Sequence, residues 1–229
     1  MTKPIVVFDL DGTLVDTAPD LLDSLSHSLG AGGARLANTT GLRSYVGHGG
    51  RVMIERAFAA QNKVLAPEEH DRLYAVFLDH YGSNMPGKSQ PYPGVIEAVE
   101  RFSKADFLMA ICTNKTEGFS QRLINALGME RHFAAICGQD TFTFRKPDPR
   151  HLISTIEMAG GDPGRALMVG DSRTDIDTAK AAGIPVVAVD FGYTDRHVRE
   201  FEPSRIISHF DELTVGLAER LIASATDAR

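Results

Sequence analysis

Two aspartates one residue apart, Asp9 and Asp11, close a run of apolar residues and are followed by Gly12 and Thr13. Carboxylates this close repel unless a cation or a shared proton relieves them. The pair therefore predicts either a bound divalent ion or a division into one ionised and one protonated acid. Phosphoryl transfer can use both outcomes, since it needs charge compensation and a proton donor for the leaving oxygen. Asp-x-Asp-Gly is also an ordinary turn. What moves the reading from turn to site is that other apolar runs end in complementary groups. Thr113 and Asn114 offer a hydroxyl, an amide and a backbone N–H suited to phosphoryl oxygens, although a Thr-Asn pair in this place also serves as a helix cap. Lys146 lies in Arg145-Lys146-Pro147-Asp148-Pro149, where two prolines stiffen the loop and aim the ammonium. Asp171 and Asp175, in Gly170-Asp171-Ser172-Arg173-Thr174-Asp175, are about one helical turn apart and can point into one crevice. Helix capping accounts for one of those acids and not for both.

The elements that must position these groups are legible as short apolar runs: Ile5 to Leu10, Leu108 to Thr113, Phe133 to Cys137, Ala166 to Asp171 and Pro185 to Asp190. Unbroken hydrophobicity rich in Val and Ile predicts strands buried on both faces of a parallel sheet. Helical spacing fills the intervals at Thr116 to Leu127, Pro149 to Ala159 and Thr174 to Ala182, with Gly128, Gly160 and Gly183 as stops. The sum is an α/β, doubly wound, Rossmann-like parallel sheet, which binds ligands at the carboxyl ends of its strands. Ala18 to Gly87 breaks the alternation. Its pattern is helical throughout, clearest at Arg51 to Ala60 and Glu68 to Tyr81, with a return linker at Pro86-Gly87 and Pro91 to Gly94. The expected organisation is a core domain of residues 1–17 and 88–229 with an inserted all-helical cap, residues 18–87, and a frayed tail after Ala223.

Composition narrows the partners. A chain of 229 residues with a net charge of -6 has no basic field for a phosphodiester backbone, so nucleic acid is not expected. An anionic substrate must instead be met by a metal, a few lysines or arginines, or backbone N–H groups. Cys112 and Cys137 sit in apolar contexts and read as reduced core thiols. The apolar stretch near Met1 is too short for a secretory core or a membrane span, and a cytoplasmic location without membrane association is expected.

Taken together, Asp9-Leu10-Asp11-Gly12-Thr13, Thr113, Lys146, and Gly170-Asp171 with Asp175 closely resemble, in order, the four motifs of the haloacid dehalogenase (HAD) superfamily of phosphatases, in particular its phosphoglycolate phosphatase branch. The resemblance implies that Asp9 is the nucleophile, forming an aspartyl phosphate, and that Asp11 is the general acid and then the base. It implies that Thr113 and Lys146 hold the transferring oxygens, with Thr13 and Asn114 also binding substrate. It implies Mg²⁺ on the carboxylates of Asp9 and Asp171 and the backbone carbonyl of Asp11, with Asp175 orienting a metal water or Lys146. The branch further implies a helical cap that sets specificity. Tyr45-Val46-Gly47-His48-Gly49-Gly50-Arg51 is similar to its cap loop, so His48, Gly49 and Arg51 are candidate substrate contacts. Dehalogenases of the superfamily lack the second Asp, so Asp11 speaks for phosphate esters. The family often has Pro where this chain has Thr116.

The implied reaction is Mg²⁺-dependent hydrolysis of a small phosphate monoester, 2-phosphoglycolate first, by a monomer or homodimer. Other sugar or nucleotide phosphates, and a phosphomutase that returns the phosphoryl group to another hydroxyl, stay open at this point. So does a signalling module in which Asp9 is only a phosphoacceptor. That last reading has no use for Asp11 or for a large helical insertion.

Overall fold

The computed structural model describes residues 2–35, 46–47 and 49–227. The chain divides into two compact units, Met1–Asp16 with Pro91–Arg229, and Thr17–Gln90.

The first unit is built on strands β1 (Ile5–Phe8), β4 (Leu108–Cys112), β5 (Ala135–Cys137), β6 (Ala166–Gly170), β7 (Val186–Val189) and β8 (Arg205–Ile207). Among the described residues they form one six-stranded sheet in the order β5-β4-β1-β6-β7-β8, with every pairing parallel. The chain winds outward from β1 through β4 to β5, then crosses to β6 on the other side of β1. That makes the carboxyl end of β1 the topological switch point, where a doubly wound sheet opens a crevice. Two-residue strands β2 (Val15–Asp16) and β3 (Gln90–Pro91) lie where the chain passes from one unit to the other.

The strands are buried because both faces of the sheet are covered. Ile5, Val7, Ala110, Cys112, Met168 and Ala188 share one cluster with Leu152 and Ile156 of helix α6 (Pro149–Met158) and with Ile176 and Ala179 of helix α7 (Arg173–Ala181). Helix α4 (Val95–Lys104), with Val95, Ala98, Val99 and Phe102 buried on one stripe, packs on β4, and helix α5 (Glu117–Ala126) packs on β5. Helix α8 (Val215–Asp227) packs on β6. It runs past Ala223, where a frayed tail was expected, because Ile222 is buried and the Thr226 hydroxyl reaches the Gly164 carbonyl at 3.3 Å. Gly128, Gly160 and Gly183 follow α5, α6 and α7 at positive φ, the conformation that ends a helix. The apolar run at Phe133 is paired only from Ala135 onward, and β8 is a strand that apolar runs did not reveal.

The second unit is helical, with α1 (Ala18–Ala31), α2 (Gly50–Ala59) and α3 (Pro67–Asn84). Proline near the start of α1 and α3 fits positions whose N–H has no helical partner, and Glu68 and Glu69 complement the α3 dipole. The Ser28 hydroxyl donates to the Leu73 carbonyl at 2.7 Å, and Phe77 fills the space a side chain on Gly50 would need. Asp20 in the first turn of α1 accepts from the backbone N–H groups of Lys88 and Ser89 and from the Ser89 hydroxyl, at 2.5 to 3.0 Å, which ties the return segment to that turn. No helix among the described residues is long and apolar enough to cross a membrane.

The packing of α6 on the sheet has a measurable consequence. Ile156→Ala, at a fully buried position, should cost about 2–5 kcal/mol in urea unfolding followed by circular dichroism. A cost under about 1 kcal/mol would mean that this helix does not seal the sheet.

Candidate active site

Four strand-end loops of the first unit meet around one buried ammonium. Phe8 ends β1, and Asp9 follows at the sheet edge with its N–H on the Val169 carbonyl at 2.9 Å. Lys146 reaches it from the loop before α6, its Nζ 2.8 Å from Asp9 Oδ1 and 2.6 Å from Asp175 Oδ1. Lys146 is 3% exposed, Asp9 8%, Asp171 2% and Asp175 fully buried, so these are desolvated charges rather than surface pairs.

The Lys146 loop is fixed from both directions. Asn114, just beyond β4, donates from Nδ2 to the Lys146 carbonyl at 3.0 Å, and His151 Nδ1 accepts from the Lys146 N–H at 3.2 Å. Burial, with Lys146 nearby, lowers the His151 imidazole to about 4, which keeps it neutral and able to accept. Asp148 caps α6 by accepting from Arg150 N–H, with Pro149 beginning the helix.

Asp175 divides its two oxygens between structure and site. Oδ2 accepts from the N–H and hydroxyl of Ser172, completing a capping box at the start of α7, while Oδ1 takes Lys146. A side chain on Gly170 would overlap Asp175, so only glycine lets β6 run this close. Asp171 is placed the same way. Its Oδ2 accepts from the Tyr193 N–H at 2.7 Å, its Oδ1 from the Thr13 hydroxyl at 3.3 Å, and Gly12 and Gly192 leave no room for a Cβ beside it.

Asp9, Asp171 and Asp175 each bring a carboxylate oxygen within 4.8 Å of the others. Burial pushes Asp9 up to about 6 against the pull of Lys146, with Asp175 and Asp11 adding to the rise. Burial, then Asp175 and Asp9, hold Asp171 well above the usual carboxylate range. Burial alone would lower Lys146, yet Asp175 and Asp9 outweigh it and the ammonium is held charged. Three buried acids around one ammonium are short of positive charge. An oxygen-binding divalent ion is the group whose charge and ligand preference fit that deficit.

The other expected site residues are placed as follows. Thr113 is buried, and its hydroxyl accepts from the Lys115 N–H at 3.2 Å, which leaves its own proton for another acceptor. Asp11 faces Lys115, whose Nζ lies 3.1 and 3.4 Å from its two oxygens. Gly49 precedes α2 at φ 85°. In the helical unit the Arg51 guanidinium is paired with Asp71 at 2.6 Å and lies over the Tyr74 ring, 4.3 Å from its centre. His48 lies outside the described residues. Lys115, His151, Ser172 and Tyr193 were not singled out from sequence. A capping-box spacing at Ser172 and Asp175 was there to be read, but backbone donors such as Tyr193 N–H leave no trace in residue type.

The sequence profile of the haloacid dehalogenase-like hydrolases matches residues 6–189. The chain belongs to this family. Among similar members, a protein of Mesorhizobium japonicum named phosphoglycolate phosphatase is 73% identical over 225 residues, spanning 98% of this chain and 99% of its own. A phosphoglycolate phosphatase of Agrobacterium fabrum is 49% identical, over 99% of this chain and 97% of its own. A crystal structure from Haemophilus somnus, described as a predicted phosphoglycolate phosphatase, superposes with a TM-score of 0.86 at 29% identity, covering 93% of this chain and 97% of that one.

For a HAD site seated this closely, Gly192→Ala should displace Asp171 and weaken divalent-cation binding, read by calorimetry, roughly 10- to 100-fold with the circular dichroism spectrum unchanged. Unaltered affinity would show that Asp171 does not depend on this close approach.

Proposed function

We propose that this chain is a Mg²⁺-dependent phosphatase acting through a phosphorylated Asp9, with 2-phosphoglycolate as its substrate. The observation that carries the reaction class is the buried ammonium of Lys146 between Asp9 and Asp175, with Asp171 beside them at the switch point. The names of relatives that match over nearly the whole chain support the substrate.

Asp9 attacks phosphorus through a carboxylate oxygen, with Lys146 on Oδ1 fixing its direction. The bond from phosphorus to the leaving oxygen breaks, and Asp11 gives that oxygen its proton. Water then attacks the aspartyl phosphate, passing a proton to Asp11 and returning Asp9 as carboxylate. The Lys146 ammonium and the Thr113 hydroxyl face the charge that spreads over the transferring oxygens. Mg²⁺ would be held by the carboxylates of Asp9 and Asp171 and the backbone carbonyl of Asp11. When bound, it neutralises phosphate charge and draws down the raised acids. Asp175 steadies Lys146, and Asn114 steadies the carbonyl behind it.

We read the helical unit, Thr17–Gln90, as the cap that selects the ester.

Phosphate release should be seen from 2-phosphoglycolate with Mg²⁺, fall to the rate of buffer alone with EDTA, and be lost in Asp9→Asn with the fold intact. Release that survives either change would overturn the mechanism. A different preferred ester in a panel of small monoesters would keep the mechanism and replace the substrate.

A further inference from the structure

Beside the ammonium that faces Asp9, a second one faces Asp11. Lys115 is 7% exposed at its side chain and Asp11 19%, so the pair is largely sheltered from the water that weakens a surface ion pair. Both ends are rigid. The Lys115 N–H is on the Thr113 hydroxyl, its carbonyl accepts from Gln139 N–H at 2.9 Å, and Gly138 packs so tightly against that carbonyl that a side chain there would collide with it. Asp11 sits in a turn closed by Gly12 N–H to the Val15 carbonyl at 3.0 Å and Leu14 N–H to the Leu10 carbonyl at 3.0 Å. The ammonium therefore approaches from a fixed origin and lies across both Asp11 oxygens, at 3.1 and 3.4 Å.

A contact to both oxygens restricts rotation of the carboxyl group about its bond to Cβ. Proton transfer to a leaving oxygen demands that orientation, because a displacement of about 1 Å can cost about 100-fold in rate. We propose that Lys115 is a positioning residue for the phosphatase reaction, holding the Asp11 carboxyl group in the orientation from which it serves the leaving oxygen. This rests on the role of Asp11 as general acid and base in the proposed function. When the bond from Asp9 to phosphorus forms and the leaving bond breaks, the proton goes from Asp11 to the departing oxygen. In the second displacement water bonds to phosphorus, the Asp9 ester opens, and the water proton goes to Asp11. Lys115 keeps its own protons throughout.

The readout that separates positioning from structural support is leaving-group dependence. An alkyl ester such as 2-phosphoglycolate needs its oxygen protonated, whereas 2,4-dinitrophenyl phosphate leaves without help. Lys115→Met should lower kcat/KM for the alkyl ester roughly 10- to 100-fold, a loss no larger than the lower end of the roughly 100- to 10,000-fold that acid catalysis supplies, and for the dinitrophenyl ester by under about threefold. In the Asp11→Asn background the same change should add nothing for either ester. Lys115→Arg, which keeps the charge and moves its nitrogens, should fall between wild type and Lys115→Met on the alkyl ester, and it supplies the comparison if Lys115→Met does not fold. An equal loss on both esters, or a loss that persists beside Asp11→Asn, overturns the inference while leaving the phosphatase reading intact. A wild-type protein that hydrolyses neither ester overturns both.

Discussion

A charged ammonium held almost out of water is the constraint on which the rest of the site depends. Lys146 is held charged there because carboxylates meet it at 2.6 and 2.8 Å; without both of them its buried charge would be uncompensated. The opposite imbalance follows at once. Asp9, Asp171 and Asp175 outnumber Lys146, and burial drives Asp9 and Asp171 upward until a further positive charge arrives. The same excess that makes the acids costly in the free protein makes the crevice attractive to a divalent ion and, through it, to a phosphate ester.

Holding such charges requires a scaffold that does not yield. The parallel sheet supplies it by ending β1, β4 and β6 side by side, β1 and β6 buried throughout and β4 from its second residue on, so that loops leaving neighbouring strands start from fixed points. Within the loops, small residues do the aiming. Gly170 and Gly192 admit acids into spaces that a methyl group would close, and Ser172 turns a helix cap into a seat for Asp175. A capping box, worth little more than local helix stability elsewhere, here also sets the position of a carboxylate that steadies Lys146.

Much of this was legible in the residues. Runs such as Ile5 to Leu10 and Ala166 to Asp171 announce buried parallel strands because a strand that is apolar on both faces has no side to turn to water, and acids at their ends stand out against it. β8 escaped because Arg205–Ile207 is short, at the sheet edge, and buried only at Ile207. Asn114 was expected to offer its amide and its backbone N–H to phosphoryl oxygens; the amide donates to the Lys146 carbonyl. Lys115 escaped because a lysine after Thr-Asn looks like a solvated charge, and only the packing of Gly138 and Gln139 around its backbone turns it toward Asp11. Roles carried by backbone donors, close approaches and neutral acceptors such as His151 depend on three-dimensional neighbours that residue spacing does not encode.

The step that decides the mechanism is transfer of the phosphoryl group to Asp9. It is tested most directly by mixing the protein with ³²P-labelled 2-phosphoglycolate and Mg²⁺, quenching in acid within one turnover, and mapping the label by peptide mass spectrometry. A hydroxylamine-labile label is expected on the peptide containing Asp9, formed and lost at rates that match turnover. Label on another residue, or full turnover with no labelled protein at any quench time, would contradict it.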